Sequence, residues 1–395
     1  MQHPLHKGTP AYGHARLADF SLASNVIHAN HGSYGAVPNV VAEAQLHWRR
    51  EVEANPTRFF RTRYMDLIRG AAGRVAGLLG GEERDWVFVD NATSAASIVS
   101  ASWHLEPGDE ILTTDQVYGA VRKALRHYAA RHGAKLVEAP IPIPLHSDDA
   151  LVDAVSRFIT PNTKAAVIDH VASQSAIVFP VARLAELFRS AGVPVLVDGA
   201  HAPGMLDVDV PALGVDWYTG NGHKWLAAPR GCGFLWCRRD RQDALHPLVI
   251  SHGYGEGFAA EFDWAGTRDP SAWLSVTAAI DYHEQWGGSA LRRRNHDLAI
   301  EAARQLVKEF GTETTAPPDR YGSMATIRLP TGRKVDFDET ERLGRELGHR
   351  SDVEASIVPL ADRPWVRVSA AIYTELVDLV TAGRAAAALR ELSDQ

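Results

Sequence analysis

Thr219-Gly220-Asn221-Gly222-His223-Lys224-Trp225, preceded by Val195-Leu196-Val197-Asp198-Gly199-Ala200-His201, is the pair of stretches on which the reading of this chain turns. The first is a polar, glycine-bearing loop with one lysine, following the short apolar run 215–218. The second is a valine-rich run ending in an aspartate, where a strand should reach its carboxyl end. Ligands of open parallel sheets bind just beyond such ends. A lysine there, facing a carboxylate from a neighbouring strand end, is what pyridoxal phosphate chemistry requires. The amine forms a Schiff base with the aldehyde, and the carboxylate keeps the pyridine nitrogen protonated so that the ring can accept electrons. A solvated lysine or a helix-capping aspartate would explain either residue alone; the two together favour the cofactor reading.

Around this centre the pattern alternates. Strands are expected at 86–89, 110–114, 135–139, 164–171, 193–197, 215–218 and 231–237, with helices at 64–79, 118–132, 148–158 and 181–191 between them. Strands interleaved with helices of this length imply an α/β fold with a mostly parallel sheet covered on both faces. Upstream, 27–35 reads as a short strand turning through Asn30-His31-Gly32-Ser33-Tyr34-Gly35, and Pro38 opens a helix to about residue 53. Asp90-Asn91-Ala92-Thr93-Ser94 opens another helix, whose hydroxyls and free N–H groups suit an anion; plain capping by Asn91 or Thr93 is the simpler alternative. A helix begins around 271–286, and beyond 291 the order becomes long helix, strand 325–329, helix 338–350, strand 365–369 and a final helix 375–392. This divides the chain into an N-terminal segment 1–40, a cofactor-binding large domain 41–275, and a smaller α+β domain 276–395 joined by 1–40.

The chain has 395 residues, enough for two to three domain-sized units, and a formal charge of −7 with scattered basic residues. That balance offers nothing to nucleic acid or an anionic membrane. There is no apolar run of about 18 residues for a transmembrane helix, and the His-, Pro- and Gly-rich start at 1–16 reads as neither signal nor anchor. A soluble, cytoplasmic protein is expected. The two cysteines, Cys232 and Cys237, suit a reducing compartment. Placed on one strand, 231–238, they would point to opposite faces in a structural role with no metal.

These residues resemble the class V aminotransferase superfamily of fold-type I pyridoxal phosphate enzymes, and within it the isopenicillin N epimerase-like branch, which also contains sulfoxide C–S lyases. The resemblance runs from Asn30-His31-Gly32-Ser33-Tyr34-Gly35 through Asn55-Pro56-Thr57-Arg58-Phe59-Phe60, Gly108-Asp109-Glu110-Ile111-Leu112 and Asp198-Gly199-Ala200-His201-Ala202-Pro203-Gly204. It continues through the lysine loop and Trp264-Ala265-Gly266-Thr267-Arg268-Asp269-Pro270 to Arg367-Val368-Ser369. It implies a pyridoxal 5'-phosphate cofactor and an amino-acid-type small-molecule substrate. Lys224 matches the Schiff-base lysine that also shuttles the α-proton, and Asp198 the partner of the pyridinium nitrogen. His201 matches a residue that reaches the cofactor's phenolic oxygen, and Tyr118 a ring-stacking aromatic. Ala92, Thr93 and Ser94 match the phosphate cup, closed by Asn221 and His223, and Ser173 joins the cofactor contacts. Gly266 and Thr267 resemble a phosphate contact lent by the second subunit, which implies a homodimer with active sites at its interface. Arg367 matches the arginine that grips the substrate carboxylate, and Asn30 and His31 fall with it on the substrate side.

The departures bear on the reaction. The stretch 353–367 lacks the nucleophilic cysteine of the desulfurases, Gln174-Ser175 replaces a Pro-Thr pair usual in the epimerases, and Gly222 replaces a bulkier residue. Epimerisation at an amino-acid α-carbon is the leading expectation, with His31 or Tyr34 as the second acid that inversion needs. β-Elimination at sulfur needs no opposite-face acid; transamination is the third option. A non-catalytic module would have no use for Lys224, Asp198 and Arg367 together.

Overall fold

The computed structural model describes residues 12–389, so the tail 1–11 and the last residues of the expected helix 375–392 lie outside them. In chain order the first strands are β1 (Ile27–His28), β2 (Trp86–Val89), β3 (Glu110–Thr114), β4 (Lys135–Ala139), β5 (Thr163–Asp169) and β6 (Val195–Gly199). They are followed by β7 (Trp217–Asn221), β8 (Gly233–Cys237), β9 (Met324–Arg328), β10 (Val353–Glu354), β11 (Ser356–Leu360) and β12 (Arg363–Ser369).

The central sheet has the order β2-β8-β7-β6-β5-β3-β4. Neighbours from β7 to β4 are parallel, and only β8 runs against its two partners. Strands buried on both faces must be apolar throughout, and β2, β6, β7 and β8 are buried along their whole length. Alternate residues of β2 feed two cores, Trp86 and Phe88 one and Val87 and Val89 the other. The helix Val181–Ser190 packs on the first of these cores with Val181, Leu184, Ala185 and Phe188, the i, i+3, i+4, i+7 stripe of an amphipathic helix.

A separate core lies among β9, β11, β12 and the helices Ser289–Phe310, Phe337–Ser351 and Leu376–Ala387. The amino end of the chain is stitched to it. β1 pairs with β10, and Asn30 bridges to Ser369, with the Ser369 amide donating to the Ala29 carbonyl at 2.8 Å. Among the described residues no helix is long and apolar enough to cross a membrane.

Three local expectations are refined, and one strand, β11, went unread. The strand at the start of 27–35 is only Ile27–His28, and the turn expected through 30–35 takes the form of one helical turn, His31–Tyr34. The helix begun at 271 breaks at Ser275 into Ser271–Leu274 and Val276–Gln285. β11 carries Pro359, which reads against a strand, but it is the edge strand of the order β11-β12-β9, where a missing N–H costs little. Its hairpin turns on Ala361 and Asp362, both with positive φ. Cys232 lies before β8 rather than on it, and the two free cysteines are buried in different cores.

Candidate active site

The ends of β5, β6 and β7 open onto one cavity of about 410 Å³, whose walls include Lys224, Asp198, His201, Asn221, His223, Ser173, Tyr118, Ala92, Thr93 and Ser94. The lysine loop leaves β7 at Asn221. It is pinned by Gly222 N–H donating to the Cys232 carbonyl (2.8 Å) and by Ala228 N–H donating to Gly222 (3.0 Å). Asn221 Oδ1 accepts from the Ala92 amide at 2.9 Å, and Asn91 caps the same helix by accepting from the Ser94 amide at 2.9 Å. The loop and the amino end of the helix Ala92–Ala101 are thereby held as one wall. On the far side Gly35 has φ +67°, and a Cβ there would fall 1.8 Å from the His223 carbonyl oxygen. Glycine alone allows this approach.

Lys224 is partly buried, and its Nζ lies 3.0 Å from His201 Nε2. The other His201 nitrogen, Nδ1, accepts from the Trp225 indole N–H at 3.4 Å. Because an indole can only donate, the imidazole proton sits on Nε2 and the lysine amine is the acceptor, which requires it to be neutral. Burial, reinforced by Arg367, pushes that amine down to about 7 against the pull of Asp198 and Asp169. Asp198 is buried, its Oδ1 accepts from the Ala200 amide at 3.0 Å, and burial raises its carboxyl. Tyr118 precedes the helix Gly119–Arg131 and stands half exposed on the cavity rim; burial first, then Tyr34 and Asp198, raise its hydroxyl.

Arg367, on β12, is 3% exposed. Its guanidinium donates to Asn30 Oδ1 (3.0 Å), Ser33 Oγ (2.9 Å) and the Ser173 carbonyl and hydroxyl, while Nε has no partner among the described residues. All of these acceptors are neutral. A buried cation held only by neutral groups is poised for an anion. Burial lowers it to about 10.

Three expectations are not met within one chain. Arg367 and Asn30 do not themselves line the cavity; they bond to Ser33 and Ser173, which do. His31 does not line the cavity: its ring meets the Tyr373 hydroxyl (3.0 Å) and the Lys224 carbonyl (3.0 Å) and packs on Trp225. The helical turn sends His31 behind the lysine while Ser33 and Tyr34 reach the cavity. Gly266 and Thr267 line a different surface cavity of about 400 Å³, beside Arg49, Arg230 and Arg268. Conversely, Ser33 and Asp169 belong to the site and had no assigned role. Asp169 ends a buried apolar strand just as Asp198 does, and that was its signal.

A cofactor with a phosphate, an aldehyde and a flat basic ring fits this donor set. A helix amino end with two hydroxyls faces the cavity, a neutral amine and a buried carboxylate stand across from it, and an aromatic ring covers the rim. The fold and this site define a fold-type I pyridoxal phosphate enzyme, whose cofactor is pyridoxal 5'-phosphate. The chain matches the class-V aminotransferase family over residues 34–379 and belongs to it. It is 38% identical to a putative L-cysteine desulfhydrase 1 of Oryza sativa subsp. japonica, over 80% of this chain and 70% of that one. It is 34% identical to the isopenicillin N epimerase of Amycolatopsis lactamdurans, over 97% of this chain and 99% of the relative. Its fold superposes with a TM-score of 0.80 on the apo cysteine desulfurase of Thermococcus onnurineus NA1, at 19% identity, over 97% of this chain and 99% of that one.

Proposed function

We propose that this enzyme is a C–S lyase: it removes the α-proton of a cysteine-type amino acid and expels the β-sulfur group as the free thiol or sulfide, and the enamine left behind takes up one water to give pyruvate and ammonia. The observation that carries this reading is a single base-competent amine, Lys224, kept neutral near physiological pH, with His31 turned away from the cavity. Elimination needs one base at the α-carbon, whereas inversion needs a second acid on the other face. When bound, the cofactor supplies the electron sink for the pair released at the α-carbon.

In this reading Lys224 captures the aldehyde and moves the α-proton, Asp198 holds the ring nitrogen protonated, and Tyr118 covers the ring face. His201 serves the ring's oxygen substituent. Ala92, Thr93, Ser94, Asn221 and His223 hold the phosphate, with Ser173 beside them. Arg367, steadied by Asn30 and Ser33, takes the substrate carboxylate. Neither cysteine can carry sulfur: both thiols are buried in cores, burial pushes them up, and neither lines the cavity. Sulfur therefore leaves as a small product instead of passing through an enzyme persulfide.

Epimerisation is the second reading, and Tyr34 is the observation that favours it, since its ring lines the same cavity and is 74% exposed. Incubation with cysteine-type substrates in deuterated water separates the two. Pyruvate and ammonia release supports the lyase; recovered substrate that is inverted and deuterated at the α-carbon, with no pyruvate, sinks it. We also propose a homodimer. Gly266 and Thr267 then reach a phosphate only across the interface, and the exposed Leu248, Val249, Ile250 and Tyr254 offer an apolar surface for it.

A further inference from the structure

Asp169 stands on the cavity wall without a task in the chemistry proposed above. It closes β5 as Asp198 closes β6, and the two are register partners on adjacent parallel strands. Side chains at one level of such a pair share a face of the sheet, and both of these reach the cavity. Asp169 is 2% exposed, and its Oδ2 has no hydrogen-bond partner among the described residues. The groups that face it are Asp198 from β6, Lys224 from the lysine loop, and Arg122 and the Tyr118 amide from the start of the following helix. Arg122 is engaged elsewhere, with Glu138 at 2.9 Å and the Asp115 carbonyl at 2.7 Å. Two buried carboxylates side by side cannot both ionise, so one proton stays with the pair.

We propose that Asp169 is a positioning residue of the cofactor site: as the protonated member of the pair it donates to Asp198 and holds that carboxylate, as the single anion, toward the ring nitrogen. The proposal rests on this cavity being the cofactor site. Both carboxylates meet backbone N–H groups, Asp198 that of Ala200 and Asp169 those of Tyr118 and its own residue; Lys224 beside Asp198 lowers that carboxyl and favours its anionic form. Burial and the neighbouring Asp198 both raise Asp169. The register pairing sets the acceptor on the neighbouring strand, and the unpartnered Oδ2 of Asp169 is the atom free to carry the shared proton.

The test compares wild-type, Asp169→Asn and Asp169→Ala proteins titrated with pyridoxal 5'-phosphate. It follows the dissociation constant and the pH midpoint of the bound cofactor's visible absorbance, with Lys224→Ala as the control for covalent capture. An asparagine amide donates as the neutral acid does. Asp169→Asn should therefore hold the cofactor within about threefold of wild type with an unmoved midpoint. Asp169→Ala should weaken cofactor binding roughly 5- to 30-fold, the cost of one buried donor, and shift the midpoint. Asp169→Leu, of similar size and likewise without a donor, supplies the same comparison if the alanine variant does not fold. An asparagine variant as damaged as the alanine variant would show that Asp169 acts as an anion and would overturn the proposal. So would an alanine variant with both readouts unchanged. Either pattern leaves wild-type capture intact, whereas a wild-type protein that takes up no cofactor would remove the site assignment itself.

Discussion

Replacing Lys224 by methionine, a side chain of similar length without charge, should stabilise the cofactor-free protein near neutral pH. Burial lowers the amine from 10.5 to about 7. A cation whose folded value is depressed binds its proton more tightly in the unfolded chain. Its stability contribution is therefore intact above 10.5, falls as pH drops, and is fully lost below about 7. Integrated from high pH down to about pH 7, this cost is about 4 kcal/mol. Against it, methionine forfeits the 3.0 Å contact with His201 Nε2 and leaves that nitrogen unpaired, at about 1–3 kcal/mol. The net gain is about 1–3 kcal/mol. For 395 residues the unfolding entropy is roughly 0.8 kcal/mol/K, so Tm should rise by about 1–4 °C. At about pH 10 the charge cost shrinks to about 1 kcal/mol, and the advantage should vanish or reverse. Calorimetry of both cofactor-free proteins at the two pH values decides it. A variant no more stable than wild type at neutral pH, or a difference that ignores pH, would refute a neutral lysine at this position.

Three further outcomes are expected. Arg367→Lys should raise KM for a carboxylate-bearing substrate roughly 30-fold or more, about 2 kcal/mol, while the bound cofactor keeps its colour; a lowered kcat at constant KM would point elsewhere. Gly35→Ala drives a Cβ into the His223 carbonyl at positive φ, so cofactor content and Tm should both fall, by contrast with a silent Gly70→Ala, where a Cβ meets open space on the helix Tyr64–Leu79. Light scattering of the cofactor-loaded protein should give a dimer mass; a monomer with full cofactor would contradict the lent Gly266 and Thr267.

The elements read correctly are those whose signal is local. The helix Tyr64–Leu79, with its Gly80 stop, and the strands Trp86–Val89, Glu110–Thr114 and Lys135–Ala139 fall where apolar periodicity and glycine place them. The turn at 30–35 was legible, but its helical form at His31–Tyr34 was not, because four residues satisfy few hydrogen bonds of their own. It is held by Arg367, Lys224 and Tyr373, all distant in the chain. Asn55 starts the short helix Pro56–Thr62 by accepting from the Arg58 amide, a capping signal present in the residues and passed over.

Lys224 and Asp198 point to a pyridoxal phosphate centre only as a pair, because a lysine loop and an aspartate at neighbouring strand ends suit that chemistry while either residue alone has a plainer use. What their protonation states are was decided only by tertiary packing. Whether Lys224 is a cation depends on His201 and Trp225 around it. Whether Asp198 stands alone depends on Asp169, which lies 29 positions earlier and becomes its neighbour only when two parallel strands align. Chain order specifies which groups are available, but electrostatic energy depends on separation and burial, and those exist only once the sheet has closed.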